Sequence, residues 1–362
     1  MIHGGRAPPL LSRQVAMTFP ASSGYTLAEL ATRLDAHLVG DGTLRIRGLA
    51  TLKGAEPDQI AFVANRSYLK ELAGTRAAAV LLHPEHASAC PVARLELANP
   101  YLAYAQLSQL FDPVLSAPQG GIHPTAVVAD DVTLGAEVEI GPHAVIEAGA
   151  ELGDRVVIGA GCFVGAGSCI GAQSLLHANV TVSHGVIIGK RAILHSACVI
   201  GADGFGFAHD GGRWHKIAQL GGVILGDDVE VGSCSSIDRG ALDDTVIGND
   251  VKIDSQVQIA HNVRIGDHSA LAGCVGIAGS TQVGRNCMLG GGVGLAGHLT
   301  ICDGVHVTGM SLVTNSIHEP GVYSSGTGAM ANAQWRKNAV RFKQLDDMAR
   351  RLARLEKRTP HG

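Results

Sequence analysis

A histidine interrupts an apolar, repetitive stretch in the second half of the chain. In QIAHNVRIG, residues 258–266, Ile259 and Ile265 have the spacing of core residues, whereas His261 stands between them next to Asn262. Histidine is the side chain most often used as a general base, because its pKa lies near neutral pH. The chain has 17 histidines, and most are expected to be exposed residues of a repeat, so the surroundings of His261 must distinguish it.

The repeat around His261 has a period of six residues. From Ile122 to Ile200 every sixth residue is Ile, Val or Leu, and the phase resumes at Leu225. After a short insert within RGALDD it runs on from Ile247 to Val313, and a smaller residue follows each aliphatic residue by four positions. This pattern predicts a hexapeptide-repeat β-helix, in which three successive hexads form one triangular coil.

The coil length brings His261 close to residues that are distant in sequence. Gly279 lies three hexads beyond His261, and Gly297 with His298 lies three hexads further on. With about 4.8 Å between coils, these residues would span on the order of 10 Å. A base, a backbone N–H and a second polar group could then surround one reacting carbonyl. Gly279 would let a substrate approach the backbone, although turn glycines are common in this chain.

The segments outside the repeat have other patterns. We expect residues 1–16 to be an unstructured extension, residues 17–119 a small α/β domain, residues 120–318 the β-helix, and residues 319–362 a C-terminal helical segment. An excursion at residues 201–221 carries two Phe and a Trp, although aromatic residues make up only 4% of the chain. We expect this excursion to line a binding cleft.

Composition excludes several classes of protein. The net charge of −4 argues against a general nucleic-acid-binding role. No segment has the length and hydrophobicity of a signal peptide or a transmembrane span. Eight cysteines without paired CxxC spacing give no zinc signature, and we expect a cytoplasmic protein with reduced thiols.

The C-terminal segment is basic although the whole chain is acidic. Between Trp335 and Arg358 there are nine Lys and Arg residues against three acidic residues. Two interpretations remain open: a solvated helix that closes a trimer, or a docking surface for an acidic partner.

An ordered set of motifs resembles one enzyme family. The motifs are DGFGFA, SIDRGALDD, QIAHNV, AGS, GH, VTGM, EPGVYSSG and WRKN, with IAFVANRSYLKEL near the N-terminus. Between about residue 20 and residue 358 the chain resembles the UDP-3-O-(3-hydroxyacyl)glucosamine N-acyltransferases of lipid A biosynthesis. The resemblance implies a left-handed parallel β-helix, a small N-terminal α/β nucleotide-binding domain, and a homotrimer with active sites in the clefts between subunits.

The resemblance also implies the chemistry of the site. His261 would be the general base that takes a proton from the glucosamine 2-amine, and the amine would attack the thioester of a 3-hydroxyacyl chain on acyl carrier protein. The Gly279 N–H would stabilise the oxyanion, and His298 would assist substrate placement or the developing charge. No metal or other cofactor is needed, because a thioester is already activated.

Further residues are expected to bind the UDP-sugar substrate by the same resemblance. Asp254 and Gln258 would tune the reaction site. Phe62, Asn65 and Tyr68 would hold the uracil and the nucleotide. Residues after Met310, among them Leu312 and Thr314, would border the acyl groove.

Three other interpretations compete with this one. A UDP-N-acetylglucosamine O-acyltransferase would use the same fold and similar chemistry on a hydroxyl acceptor. A γ-type carbonic anhydrase would need histidine pairs that converge on zinc, and His261 has no histidine five residues further on. A purely structural solenoid would need neither the aromatic excursion nor a separate N-terminal domain.

Overall fold

The computed structural model of the protein describes residues 24–112 and 121–357, and the expectation for residues 1–16 lies outside them. The chain divides into two compact units, the first within residues 1–118 and the second within residues 119–362. No helix among the described residues is long and apolar enough to cross a membrane.

The first unit has a small mixed sheet with helices. Its five-stranded sheet has the order His37–Val39, Ala93–Glu96, Ala79–Leu82, Gln59–Phe62 and Gly48–Leu49, and only the first pair of strands is antiparallel. Tyr25–Thr26 pairs separately with Arg45–Ile46. The α-helices are Leu27–Arg33, Leu69–Leu72 and Pro100–Leu110, and the 3₁₀ segments are Arg66–Tyr68 and Pro84–Ala89.

Local sequence explains where two of these helices begin. Thr26 and Glu29 form a reciprocal capping box at the start of Leu27–Arg33. Asn99 accepts the Leu102 N–H at the start of Pro100–Leu110, with proline at the first helical position.

The second unit is a parallel β-solenoid with three faces, built from hexapeptide repeats. Face 1 comprises Gly121–Ile122, Glu139–Ile140, Val157–Ile158, Leu175–Leu176, Ile193–Leu194, Glu230–Val231, Lys252–Ile253, Ala270–Leu271, Met288–Leu289, Val305–Val307 and Gly321–Tyr323. Face 2 comprises Val127–Val128, Val145–Ile146, Phe163–Val164, Thr181–Val182, Val199–Ala202, Ser236–Asp238, Gln258–Ile259, Gly276–Ile277, Gly294–Leu295 and Leu312–Val313. Face 3 comprises Thr133–Leu134, Glu151–Leu152, Cys169–Ile170, Ile187–Ile188, Val223–Leu225, Thr245–Ile247, Arg264–Ile265, Gln282–Val283 and Thr300–Ile301.

The core of the solenoid follows the hexad pattern. Both the large aliphatic residue and the smaller residue four positions later point inward, as Ile158 and Cys162 do with 1% exposure each. Strands that are three hexads apart pair in register and stack these side chains in continuous columns. Each burial of an aliphatic side chain contributes about 1.5–3 kcal/mol to stability. The predicted left-handed parallel β-helix with an N-terminal α/β region and a C-terminal helix is therefore confirmed as a fold class.

Two interruptions of the hexads are bonded to each other. The excursion carries an antiparallel hairpin, Phe207–Asp210 with Arg213–Lys216, whose residues are exposed. At its return, the Leu220 N–H donates to Ala241 O at 2.8 Å and the Gly221 N–H to Gly240 O at 3.0 Å. Ala241 and Gly240 belong to the RGALDD insert, so the excursion and the insert form one structure.

The C-terminal segment forms two helices, whereas the sequence pattern suggested one continuous helical stretch. They are Asn332–Phe342 and Leu345–Glu356, and Lys343 and Gln344 lie between them. On the second helix Leu345, Met348, Leu352 and Leu355 are all exposed and recur at spacings of three and four. This spacing gives the helix one apolar stripe along its length.

Candidate functional site

His261 lies at the corner between faces 2 and 3, here called the His261 corner. It follows the face 2 strand Gln258–Ile259 and precedes the face 3 strand Arg264–Ile265. The next coil is bonded directly above it, because the Ser280 N–H donates to His261 O at 3.0 Å. A Cβ atom at Gly279 would lie 2.8 Å from both Cε1 and Nε2 of His261. The imidazole therefore occupies the space that the absent side chain of Gly279 leaves open.

Asn262 fixes the tautomer of His261. The Asn262 Nδ2 group donates to Asp243 O at 2.7 Å, so its Oδ1 is the oxygen that accepts the Ala241 N–H at 3.1 Å. The same Oδ1 lies 3.0 Å from His261 Nδ1. An acceptor at that position requires Nδ1 to carry the proton, which leaves Nε2 with a free lone pair on the side of Gly279. This is the form that a general base needs.

The backbone at Gly279 supplies a donor near that lone pair. Its carbonyl accepts the His298 N–H at 3.0 Å, but in the described part of the chain its own N–H donates to no acceptor. Gly279 is only partly buried, so this N–H is available to a ligand. The expected juxtaposition of His261 and Gly279 is present in the structure.

His298 belongs to a different column of the corner. Its φ of 60° matches those of Asn262 and Ser280, at 61° each, so these three residues occupy equivalent left-handed positions on successive coils. Asparagine tolerates this conformation better than most residues. His298 is exposed and stacks above Asn262, two coils away. It therefore borders the site without contacting His261.

Asp254 and His261 occupy different corners of one chain. Asp254 follows a face 1 strand and borders a groove of about 590 Å³ on that face, with His195, Lys252 and Met288 among its lining residues. One full strand of face 2 separates Asp254 from His261. The structure of a single chain does not bring these two side chains together.

Gln258 connects to a buried carboxylate below it. It lies on face 2, and its Nε2 donates to Asp238 Oδ2 at 2.9 Å. Asp238 is 9% exposed, and burial raises the pKa of its carboxyl above the ordinary value, against hydrogen bonds from Gln258 and Ser236 and the charge of His261 that lower it. Asp238 was not among the residues expected from the sequence, although its motif was.

Face 2 offers an open surface beside the His261 corner. Above Gln258 the next two coils carry Gly276 and Gly294 at the equivalent position, and the third carries Leu312, which is 64% exposed. A Cβ atom at Gly276 would have no other atom within 4 Å, so the two glycines leave a strip of face 2 without side chains, here called the trough, that ends at Leu312. This arrangement suits an extended hydrocarbon chain.

The excursion covers the other side of His261. A Cβ atom at Gly204 would lie 2.8 Å from His261 Cβ and 2.9 Å from Gln219 Oε1. Gln219 is 7% exposed. Gly204 lies in the motif DGFGFA but was not expected individually, and no pattern in the sequence pointed to Gln219.

The expected nucleotide-binding residues of the first unit lie at the end of a strand. Phe62 ends the strand Gln59–Phe62, and its ring stacks on Tyr104 with centroids 4.0 Å apart. Asn65 caps the 3₁₀ segment Arg66–Tyr68 by accepting the Ser67 N–H at 3.0 Å. Tyr68 is 53% exposed. Tyr101 was not expected from the sequence; it is 63% exposed, and its ring centroid lies 6.4 Å from that of Phe62.

No cluster of three or more His, Cys, Asp or Glu side chains within residues 24–112 and 121–357 could hold a metal ion. All eight cysteines lie in these ranges and are free thiols. Cys198 is fully buried, and burial raises the pKa of its thiol to about 12. The buried thiols pack as small apolar groups.

Comparisons with known proteins agree on one family. Residues 43–110 match the family model described as UDP-3-O-(3-hydroxymyristoyl) glucosamine N-acyltransferase, LpxD, and residues 244–279 match the bacterial transferase hexapeptide model. The chain is 74% identical over 333 residues to the UDP-3-O-acylglucosamine N-acyltransferase of Chromohalobacter salexigens, covering 92% of this chain and 96% of that protein. It is 58% identical to the enzyme of the same name from Pseudomonas aeruginosa, covering 92% and 94%.

A solved structure supports the fold alone. The UDP-N-acetylglucosamine acyltransferase of Arabidopsis aligns with a TM-score of 0.52 at 24% identity, over 57% of this chain and 71% of that one.

Proposed function

The chain belongs to the UDP-3-O-acylglucosamine N-acyltransferase family, and from that premise we propose that His261 is the general base of its N-acyl transfer. The observation that supports this role is the hydrogen bond between His261 Nδ1 and Asn262 Oδ1, which leaves Nε2 unprotonated beside Gly279. The relatives are named for UDP-3-O-acylglucosamine. The proposed acceptor is the 2-amine of that sugar nucleotide, and the product is a UDP-2,3-diacylglucosamine.

The reaction needs one proton acceptor and one oxyanion donor. The amine nitrogen attacks the thioester carbonyl carbon while His261 Nε2 takes one of its protons. The Gly279 N–H donates to the oxygen, which becomes negatively charged as the tetrahedral intermediate forms. When the C–S bond breaks, the imidazolium returns its proton to the departing thiolate. Amide and thiol are the products, and His261 is again neutral.

The acyl chain is proposed to lie along face 2. The trough formed by Gly276 and Gly294 begins next to Gln258 and ends at Leu312. Leu312 and Thr314 would then limit the length of the chain. Gln258 and Asp238 lie at the reacting end, where a 3-hydroxyl group would need polar partners.

The donor is proposed to be a 3-hydroxyacyl thioester of acyl carrier protein, and the assembly a homotrimer. A neighbouring copy would bring its Asp254 to a cleft with His261, because the two residues lie at different corners of one chain. His298 would border the same cleft and assist substrate placement. Phe62, Asn65 and Tyr68 are proposed to bind the uracil and nucleotide.

The protein is proposed to act in the cytoplasm. All eight cysteines are free, which fits a reducing compartment.

Two acceptors distinguish this function from its closest rival. Purified enzyme is given 3-hydroxyacyl-acyl carrier protein with either UDP-3-O-acylglucosamine, which presents an amine, or UDP-N-acetylglucosamine, which presents a hydroxyl. We expect product only with the amine, detected by mass spectrometry. Transfer to the hydroxyl acceptor at a comparable rate would contradict the proposal in favour of an O-acyltransferase.

A further inference from the structure

Gln219 carries a buried carbonyl oxygen without a partner. Its Nε2 group donates to Ile217 O at 3.1 Å, but among the described residues no donor reaches its Oε1. Rotating the amide by half a turn would set its oxygen against Ile217 O, so the observed orientation is the favourable one. A buried carbonyl left unpaired is destabilising, and its presence calls for an explanation.

Two glycines of DGFGFA make the space that Gln219 occupies. A Cβ atom at Gly206 would lie 2.5 Å from Gln219 Nε2, and one at Gly204 would lie 2.9 Å from Gln219 Oε1. The Gly204 position is also 3.2 Å from His261 Cδ2. The unpaired oxygen of Gln219 and the imidazole of His261 therefore border the same small space, from which any larger side chain at residue 204 is excluded.

The backbone next to Gln219 is held firmly. Leu220 and Gly221 donate to the RGALDD insert, and Gly221 O accepts from Arg239 Nε at 2.7 Å. Arg239 is itself 4% exposed. This anchored backbone, together with the hydrogen bond from Gln219 Nε2 to Ile217 O, holds the side-chain amide in place, so its carbonyl dipole is preorganised.

We propose that Gln219 is a positioning residue whose unpaired carbonyl stabilises the imidazolium form of His261 while that residue holds the amine proton. The proposal rests on the proposed role of His261 as the base. A carbonyl oxygen carries partial negative charge, and the burial of Gln219 weakens the screening of that charge by solvent. The dipole is in place before the proton arrives, so it costs no reorganisation when the positive charge develops.

The other charged groups near the His261 corner either favour or oppose a positive charge on His261. Asp238 favours a positive His261, since its carboxylate interacts with the charge of that residue. Arg239 opposes it, and its guanidinium packs on His184 within 3.1 Å of both ring nitrogens. Asp203 is paired with Lys216, so that pair adds little net charge. Gln219 is the uncharged member of this set and can be tested without altering the number of charges.

The test compares the pH dependence of kcat/KM in Gln219 variants. Gln219→Met removes the dipole and keeps the length of the side chain. The acidic limb of the profile, where kcat/KM falls as His261 becomes protonated, should then move to lower pH by about one unit. We expect kcat to fall about tenfold while both KM values hold. Gln219→Glu should move the acidic limb to higher pH. Gln173→Met, at an exposed glutamine elsewhere on the solenoid, is the matched control and should leave the profile unchanged.

A second variant and a direct measurement separate the possible outcomes. If Gln219→Met does not fold, Gln219→Asn can replace it, because the shorter side chain keeps the amide but moves its oxygen away from His261. This variant should also move the acidic limb to lower pH. The pKa of His261 is also followed by NMR of 13C-labelled histidine, assigned with His261→Gln. An unchanged His261 pKa in a folded variant would overturn the role of Gln219. A shifted pKa with an unaltered rate profile would instead support Gln219 and contradict the role of His261 as the base.

Discussion

Asn262 Oδ1 lies 3.0 Å from His261 Nδ1 and accepts the Ala241 N–H with the same oxygen. The ring that faces Gly279 is thus held through an insert that interrupts the repeat. The regular coils supply the position of His261, and the irregular segment supplies its protonation state.

Changing Asn262 should therefore affect turnover through His261. Asn262→Ala removes the acceptor at Nδ1, so the wrong tautomer becomes populated and kcat should fall by about 10²-fold. Asn262→Asp keeps an acceptor for Nδ1 but loses the donor to Asp243 O, so it should retain more turnover than Asn262→Ala. It should also move the acidic limb of kcat/KM to higher pH, because a carboxylate favours the imidazolium. Ser280→Ala, at the equivalent corner position one coil away, serves as the control. Equal turnover in Asn262→Ala and wild type would contradict the assignment.

Removal of the base is the most direct test of the mechanism. His261→Ala should lower kcat by about 10²–10⁴-fold and abolish the acidic limb, with both substrates still bound. Melting temperature and assembly should hardly change, because His261 is only partly buried at an outward corner. His268→Ala removes an exposed histidine from the next corner along the chain and is the control. His298→Ala should be milder. If His261→Ala retained most of the turnover, the proposed role of His261 as the general base would be contradicted.

Variants of Asn65 can separate its role as a helix cap from its proposed contact with the UDP-sugar. Asn65→Asp keeps the oxygen that accepts the Ser67 N–H but loses the amide donors. It should weaken UDP-sugar binding without loss of stability, whereas Asn65→Ala should also lose about 1 kcal/mol of stability. Phe62→Ala should raise the KM for the UDP-sugar more than it lowers kcat, while Phe62→Leu should do so less. Calorimetric titration with the UDP-sugar and thermal melting measure the two effects; a collapse of kcat at unchanged affinity would assign this unit another role.

Asp238 should make stability depend on pH. Burial raises the pKa of this carboxyl, so the folded chain binds its proton more tightly than the unfolded chain does. Its contribution is therefore favourable at low pH and is lost as the pH rises from the unfolded value of about 3.9 through the raised folded value. Asp238→Asn removes this loss. The gain in melting temperature over wild type should therefore grow as the pH rises above about 3.9 and should level off once the pH has passed the raised folded pKa of Asp238. A constant difference would show that the buried carboxyl is not the cause.

The basic C-terminal helix is expected to dock acyl carrier protein. Arg350 and Arg354 lie opposite the apolar stripe of Leu345–Glu356, so packing of the stripe in a trimer would leave them free. Reversal of Arg350, Arg351 and Arg354 to Glu should raise the donor KM and leave the UDP-sugar KM nearly unchanged.

A second triple variant controls for helix stability in that experiment. Arg350 and Arg351 pair with Asp346 and Asp347, so replacement by Gln removes the charges without placing like charges together. The donor KM of the wild type should also rise with salt. An unchanged donor KM in both variants would favour a helix that only closes the trimer.

The sequence predicted the regular part of the molecule more accurately than the irregular part. Counting three hexads onward places Gly279 above His261, because hydrogen bonding in register makes sequence separation equal to spatial stacking. Counting hexads does not predict which residues become neighbours across the excursion and the insert. Whether Gln219 or another residue of the excursion meets His261 depends on how those loops return, which no periodicity encodes. The position of Asp254 at another corner follows from the coil as well, although motif membership alone suggested a shared site.

The mutual bonding of the excursion and the RGALDD insert limits how the site could be transplanted. A designer who grafts QIAHN onto another hexapeptide solenoid would reproduce the imidazole and the glycine above it. Without the insert, the side chain of Asn262 would lose both of its backbone partners, and without the excursion the insert would lose its hydrogen bonds with Leu220 and Gly221. The arrangement around His261 thus depends on both loops, and recombination between related solenoids would have to exchange the two loops together to preserve it.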